Sequence, residues 1–240
     1  MKSILVIGGQ GLIGQEICKK YLSNGWEVYT WDNKSNIYND YSWCVGIDLY
    51  KDCAKLADVF KNYNFDIISH QAALVSVGES QYQIERYINN NVECVSEFLQ
   101  AMIDTKNFPK LIMFASSMGI YGNVCPGISS RINEESSKIP ISYYGVSKLC
   151  QEEMFRVFSI TYDVPVVALR YFSVYGNINP LNPLTGVISM ITNKFLNSDV
   201  VELNEDGFQT RDFVHAFDIA DIHYLFNYKN NKGFNYYNVG

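Results

Sequence analysis

The stretch Ile4-Leu-Val-Ile-Gly-Gly-Gln-Gly-Leu-Ile-Gly14 decides how the rest of the chain is read. Four apolar residues in a row predict a strand buried on both faces. Gly8-x-x-Gly11-x-x-Gly14 predicts a turn, and Leu12, Ile13, Ile17, Tyr21 and Leu22 then follow helical spacing. Glycine suits such a turn because it accepts φ > 0, lets the backbone approach a pyrophosphate, and lets the helix sit close on the strand. The phosphates then lie at the helix N-terminus, against the backbone of Gly8, Gly11, Leu12, Ile13 and Gly14. A glycine triplet serves a purely structural turn equally well, so an acidic partner decides. Asp32 closes a second apolar run, Glu27-Val-Tyr-Thr-Trp31, at about the 20-residue distance of a ribose-binding carboxylate. A carboxylate there accepts from the ribose hydroxyls and repels a 2′-phosphate, which predicts NAD as the cofactor; Lys34 nearby argues the other way, and a plain loop aspartate is the alternative.

The chain has 240 residues, 48% of them hydrophobic, enough for one large domain or one and a half smaller ones. Its net charge is −6, with 19 Lys and Arg against 25 Asp and Glu and no basic run, which argues against nucleic acid as a partner. An anionic substrate must be met by local positive charge. No apolar run reaches membrane-spanning length, and Met-Lys-Ser leads directly into the first strand without a signal peptide. A cytoplasmic protein with no membrane contact is expected. The six cysteines, Cys18, Cys44, Cys53, Cys94, Cys125 and Cys150, form no C-x-x-C pair and read as reduced, mostly structural thiols. His70, His215 and His223 lack zinc-ligand spacing, although the last two could share a helix face; no metal is expected.

Beyond Asp32, Asn33 to Ser42 reads as a loop, Trp43 to Ile47 as a third strand and Asp52 to Tyr63 as a helix. Asp48, at the end of that strand, is suited both to the adenine amino group and to capping the following helix. Phe65 to His70 is a fourth strand that runs into Gln71-Ala-Ala73, small residues past which a bound cofactor can lie close. Tyr82 to Met102 has helical periodicity throughout and predicts one long helix. Asn89-Asn-Asn91 interrupts it at a cost in propensity, and so marks either a hydrogen-bonding feature beside a site or surface drift in an asparagine-rich chain. Leu111 to Ala115, ending in Ser116-Ser117, is a fifth strand; Tyr144 to Thr161 is a helix; Val166 to Arg170 is a sixth strand. This alternation predicts an α/β fold, a Rossmann-type doubly wound parallel sheet with helices on both faces, its ligands at the carboxyl ends of the strands. From Gly176 the texture changes to turn chemistry, which predicts a cofactor domain over 1–175 and, over 176–240, the start of a smaller substrate lobe with segments that return to the sheet. Because the sequence stops on Asn238-Val-Gly240 after another strand, a further C-terminal portion is expected.

Tyr144-Gly-Val-Ser-Lys148 sets a phenol and an ammonium on one helix face. An ammonium beside a phenol favours phenolate, so Lys148 is expected to lower the Tyr144 pKa toward working pH. Tyr144 then takes a proton from a substrate hydroxyl as hydride leaves its carbon, Lys148 also holds the nicotinamide ribose, and Ser117 bonds the same substrate oxygen. A Tyr-x-x-x-Lys pair by itself is usually a surface pair; its place after a Rossmann half and a strand-end serine gives it chemistry.

Together, Gly8-x-x-Gly11-x-x-Gly14, Asp32-Asn33, Asp48-Leu49, His70-Gln-Ala-Ala73, Ser116-Ser117 before Tyr121-Gly122, Tyr144-x-x-x-Lys148, Leu169-Arg-Tyr-Phe172 and Arg211-Asp-Phe-Val-His215 resemble the extended short-chain dehydrogenase/reductases, within them the NAD-dependent epimerase/dehydratase family. The resemblance implies that Asn33 accompanies Asp32 at the cofactor, Asp48 and Leu49 bracket the adenine, Ala72 and Ala73 line the cofactor, Asn90 contacts it, and Phe172 lies near the nicotinamide. It also implies that Arg211 meets the diphosphate of a nucleotide sugar and that Ser173, where the family usually has asparagine, faces the substrate; a surface salt bridge is the plain alternative for Arg211. Homodimerisation through the helices over 82–102 and 144–161 is implied in the same way.

Within that family, 4,6-dehydratases resemble one another in carrying Asp-Glu directly after the strand-end Ser/Thr. Here the positions hold Met118-Gly119, neither of which moves a proton, so dehydration is disfavoured. What remains is removal and return of one hydride at the sugar C4, a 4-epimerisation of a UDP- or dTDP-hexose. The alternatives are a one-way nucleotide-sugar reductase or dehydrogenase, and a truncated NAD-binding module without turnover.

Overall fold

Ser3–Ile7 forms β1, buried along its whole length. The computed structural model describes residues 2–32, 43–46, 54–123, 131–176, 186–201, 207 and 210–240. In chain order β1 is followed by α1 (Leu12–Ser23), β2 (Glu27–Asp32), β3 (Trp43–Gly46), α2 (Ala54–Asn62), β4 (Ile67–His70) and the short α3 (Val77–Ser80) and α4 (Ile84–Ile88). Then come α5 (Cys94–Thr105), β5 (Leu111–Ser117), α6 (Tyr143–Tyr162), β6 (Val166–Tyr171), β7 (Ser173–Tyr175), α7 (Val187–Leu196), β8 (Phe213–His215), α8 (Ala216–Leu225) and β9 (Phe234–Val239).

Seven strands form one parallel sheet in the order β3-β2-β1-β4-β5-β6-β9. The strand order reverses between β1 and β4, and that crevice is where doubly wound sheets take their ligands. Strands covered on both faces alternate their side chains between two cores. On one side Leu5, Ile7, Trp31, Ile68 and Phe114 meet Phe60 of α2, Phe98 of α5 and Phe155 of α6. On the other Ile4, Val6, Val28, Met113 and Val167 meet Ile17 and Tyr21 of α1 and Ile219 of α8. Cys18 and Cys94 are buried and Cys150 is half-buried. Among the described residues no helix is long and apolar enough to cross a membrane.

Two segments differ from the sequence expectation. The periodic stretch 82–102 is two helices joined by a π-helical turn, Asn89–Glu93, in which Asn91 spends its amide on tertiary bonds. The fifth strand runs on through Ser116 and Ser117, both held in register with β6 opposite Arg170 and Tyr171. Past residue 176, β8 pairs with β7 in a small two-stranded sheet, α8 packs on α1, and β9 extends the main sheet beside β6.

Candidate active site

The glycine turn leaves the end of β1 with Gly8 at φ +84°. A Cβ on Gly8 would lie 2.6 Å from the Ala72 backbone nitrogen, and one on Gly14 would lie 2.1 Å from the Gly8 carbonyl oxygen. Both positions require glycine, and the turn, the start of α1 and the end of β4 consequently touch backbone to backbone. Gly11 is the N-cap of α1; no side chain caps that end, and its first turn, with Leu12 and Ile13, holds no acidic residue. An uncapped, acid-free helix start behind a stripped backbone fits an anionic diphosphate. Asp32, at the end of β2, is buried and accepts the Gln10 N–H at 2.8 Å, which ties the carboxylate to the glycine turn. Asn33, Asp48 and Leu49 lie outside the described residues.

Past β4, Ala72 closes on Gly8 with its N–H donating to the Ile7 carbonyl at 3.0 Å, and Ala73 follows, half-buried. Among the three asparagines the structure selects Asn91. Its side chain is fully buried, accepts the Leu74 N–H at 2.9 Å, and donates to the Leu74 carbonyl and to Ser147 Oγ, both at 3.0 Å. Asn90 is half-buried and donates to the Asn91 side chain at 3.0 Å. Asn91 thus clamps the segment after Ala73 to α6 one residue before Lys148. The triplet is a hydrogen-bonding feature, and its central contact is one residue beyond the asparagine the family pattern singled out.

Ser117, Tyr144 and Lys148 converge where β5 ends against the first turns of α6. Ser142 caps the helix by accepting the Gly145 N–H at 3.0 Å, and a Cβ at Gly145 would lie 2.5 Å from the Gly119 carbonyl oxygen, so α6 starts hard against the turn that leaves β5. Ser117 Oγ accepts the Gly119 N–H at 3.0 Å and faces the Tyr144 phenol, whose pKa it pulls down. A Cβ at Gly119 would begin 3.3 Å from Ser117 Oγ and 3.5 Å from the Tyr144 ring, so the missing side chain there leaves the phenol room. Lys148 Nζ donates to the Ala115 carbonyl at 2.9 Å.

The electrostatics correct the sequence expectation. Tyr144 and Lys148 are 9% and 2% exposed, and burial dominates both. It raises the Tyr144 pKa, against the lowering pull of Ser117, and it brings the Lys148 ammonium down to about 7. Within the polypeptide, Lys148 therefore does not lower Tyr144: desolvation disfavours the charged form of each.

Phe172, half-buried, donates its N–H to the Val239 carbonyl at 2.9 Å and packs beside Gly240; Ser173, also half-buried, is tied to the Asp212 carbonyl at 3.0 Å. Arg211 stands exposed on the approach to β8, its guanidinium donating to the Thr210 carbonyl at 2.7 Å. The two histidines do different things: His215 caps α8, whereas His223 is buried between Ser69, 2.9 Å away, and Tyr21, 3.2 Å away.

One buried cluster has no counterpart in the sequence reading. Glu152 and Arg170, both wholly buried, are joined by bonds of 2.5 and 3.1 Å, and Ser116 Oγ donates to the same carboxylate at 2.8 Å. Glu152 lies one turn beyond Lys148, on the face that carries Tyr144. That i+4 continuation was its available signal.

A glycine cradle at the switch point of a parallel sheet, with a buried Ser/Tyr/Lys cluster across it, defines a dinucleotide-binding protein of the Rossmann class. The chain belongs to the NAD dependent epimerase/dehydratase family, whose model matches residues 4–240. It is 30% identical to the UDP-glucose 4-epimerase of Halalkalibacterium halodurans over 97% of this chain and 76% of that one. It is 27% identical to the dTDP-L-rhamnose 4-epimerase of Burkholderia thailandensis over 92% of this chain and 71% of that one. The crystal structure of the Thermus thermophilus UDP-glucose 4-epimerase in complex with NAD superposes with a TM-score of 0.87 at 28% identity, over 99% of this chain and 77% of that one.

Proposed function

We propose that this protein interconverts UDP- or dTDP-linked hexoses at C4, with Tyr144 as the acid–base residue, Ser117 as its partner on the substrate oxygen, and NAD held by Gly8, Gly11, Leu12, Ile13, Gly14, Asp32, Ala72, Ala73 and Lys148. The reading is carried by the burial of Ser117, Tyr144 and Lys148 together at the end of β5, with glycine rather than an acid at 119. When bound, NAD takes a hydride from the sugar carbon and returns it, and its positive ring favours the Tyr144 phenolate. Tyr144 accepts the C4 hydroxyl proton as the carbon is oxidised and gives it back on reduction. Ser117 donates to the same oxygen as it becomes a carbonyl, and the two residues hold it while the sugar presents its other face. Lys148, anchored on the Ala115 carbonyl, supplies a donor to the cofactor ribose. Met118 and Gly119 offer no second acid or base, so water is not eliminated.

Asn33, Asp48, Leu49, Asn90 and Phe172 complete the proposed cofactor contacts, and Ser173 and Arg211 face the sugar diphosphate. Residues 1–175 form the cofactor domain and 176–240 begin the substrate lobe. The homodimer forms through α5 and α6, whose outer faces leave an open groove of about 570 Å³ lined by Leu99, Ile103, Met154, Val157 and Phe158, and the protein acts in the cytoplasm. The test is incubation with UDP-galactose and, separately, a dTDP-hexose, followed by proton NMR of the sugar. The expected result is a C4 epimer without net formation of NADH; stoichiometric NADH consumption would replace epimerase by reductase.

A further inference from the structure

We infer that Ser116 and the buried Glu152–Arg170 pair position Ser117 against Tyr144. The inference rests on the proposal that Tyr144 is the acid–base residue. Arg170 sits where five segments meet. Its guanidinium binds Glu152 of α6, donates to the Tyr121 phenol at 2.7 Å in the turn after β5 and to the Glu134 carbonyl at 2.9 Å, and lies 4.1 Å over the ring of Tyr236 in β9. Tyr121 passes the contact on by donating to Asn238 at 2.7 Å, and the Asn238 N–H donates to Glu134 at 2.8 Å.

Such a cluster is a poor way to gain stability. Desolvating an ion pair costs about as much as its attraction returns, and apolar residues of similar volume do as well or better. What it provides is direction. A bidentate guanidinium accepts one arrangement of its carboxylate, and Glu152 Oε2 in turn accepts one arrangement of Ser116. Ser116 is bonded to α6 through Glu152, two turns along that helix from Tyr144, which Ser117 faces. The Ser116 bond holds the end of the β5 backbone against α6, and with it the backbone from which Ser117 reaches toward Tyr144. The titratable groups nearest this corner are Lys148 on the helix of Tyr144, His70 of β4, whose pKa Lys148 helps to lower, and the Glu152–Arg170 pair with Lys138 at its edge.

Ser116→Ala removes only the hydroxyl link and leaves the ion pair intact. With Ser117 less well held, its pull on the Tyr144 phenol weakens, and the expected result is a Tyr144 pKa raised by about half a unit. Two readouts follow it. One is the titration of Tyr144 in 13C-tyrosine-labelled protein, assigned by Tyr144→Phe and measured with and without NAD. The other is the acid limb of kcat against pH. A base active as phenolate loses activity as pH falls through its pKa, so the limb moves to higher pH and kcat near neutrality drops about threefold, with KM unchanged. Ser116→Thr, which keeps the hydroxyl, restores both. An unchanged Tyr144 titration in folded Ser116→Ala overturns the inference, even if epimerase activity is present. A shifted titration in a protein that turns over neither UDP- nor dTDP-sugar upholds it and removes the proposed function instead.

Discussion

At the scale of single residues the glycines and Tyr144 carry the sharpest expectations. A Cβ at position 14 would overlap the Gly8 carbonyl, whereas one at Gly11 meets that same oxygen at 3.3 Å. Gly14→Ala should therefore destabilise the fold by about 2 kcal/mol or more, and Gly11→Ala by clearly less, as read from urea midpoints. Equal effects would mean that the turn relaxes around either methyl group. Tyr144→Phe keeps the ring that packs against Gly119 and removes the proton carrier. Turnover should fall by about 10³-fold or more while calorimetry still reports NAD binding; retained turnover would take Tyr144 out of the mechanism. The glycine pattern and Tyr144-x-x-x-Lys148 were legible because each rests on local geometry, a φ angle or a helical turn. The raised Tyr144 pKa was not legible: spacing shows which charge is near but not how much water has been removed.

Among the elements, the π-helical turn between α4 and α5 departs furthest from what periodicity predicts. A five-residue turn with three asparagines is paid for by the bonds of Asn91 to Leu74 and Ser147 and by the Gln151 amide donating to the Asn91 carbonyl. Asn91→Ala leaves those buried partners unsatisfied and should cost about 1–3 kcal/mol, with faster hydrogen exchange at the Leu74 amide. Asn90→Ala should stay within about 0.5 kcal/mol of the parent. If the two variants behave alike, the clamp is not specific to Asn91. Sequence pattern placed the interruption but left hydrogen bonding and surface drift as equal readings, and three identical neighbours cannot be ranked until one of them is buried.

For the whole molecule, the buried histidines set the pH response. Burial lowers both His70 and His223 from 6.5 to about 3, Lys148 adding to the effect at His70. The unfolded chain then binds more protons than the folded one between those values. The histidine contribution to stability is complete above about pH 6.5 and declines as pH falls through the window toward 3, by on the order of a few kcal/mol per histidine. The Arg170-paired Glu152 and the Lys110-paired Asp66, both shifted downward, add their losses only at more acidic pH, through the carboxylate range. Urea midpoints should accordingly fall between about pH 6.5 and 5, and a flat profile there would show that the histidines accept protons in the folded state. Assembly belongs to the same scale. Val157 is 52% and Ile160 66% exposed on the outer face of α6, and light scattering should report a dimer that Val157→Glu converts to monomer. A parent protein that is already monomeric would remove the proposed interface.

The sequence by itself determined the sheet, the glycine turn and the pairing of Tyr144 with Lys148 on one helix face, because each is written in short-range order: apolar runs for strands buried on both faces, glycines where φ or close approach demands them, a four-residue step that puts two side chains on one helix face. Ser117 and Ser116 lie next to each other in the sequence, yet only the packing of β5 on α6 gives one to Tyr144 and the other to Glu152. Nothing local joins Arg170 to Glu152, since an ion pair across 18 residues exists only once a strand and a helix have been brought together. The return of α8 and β9 to the main sheet, the choice of Asn91, and the balance of burial against charge at Tyr144 and Lys148 were likewise settled by tertiary structure. All of these depend on which groups lose water together, and that is fixed by long-range packing rather than by neighbours in the chain.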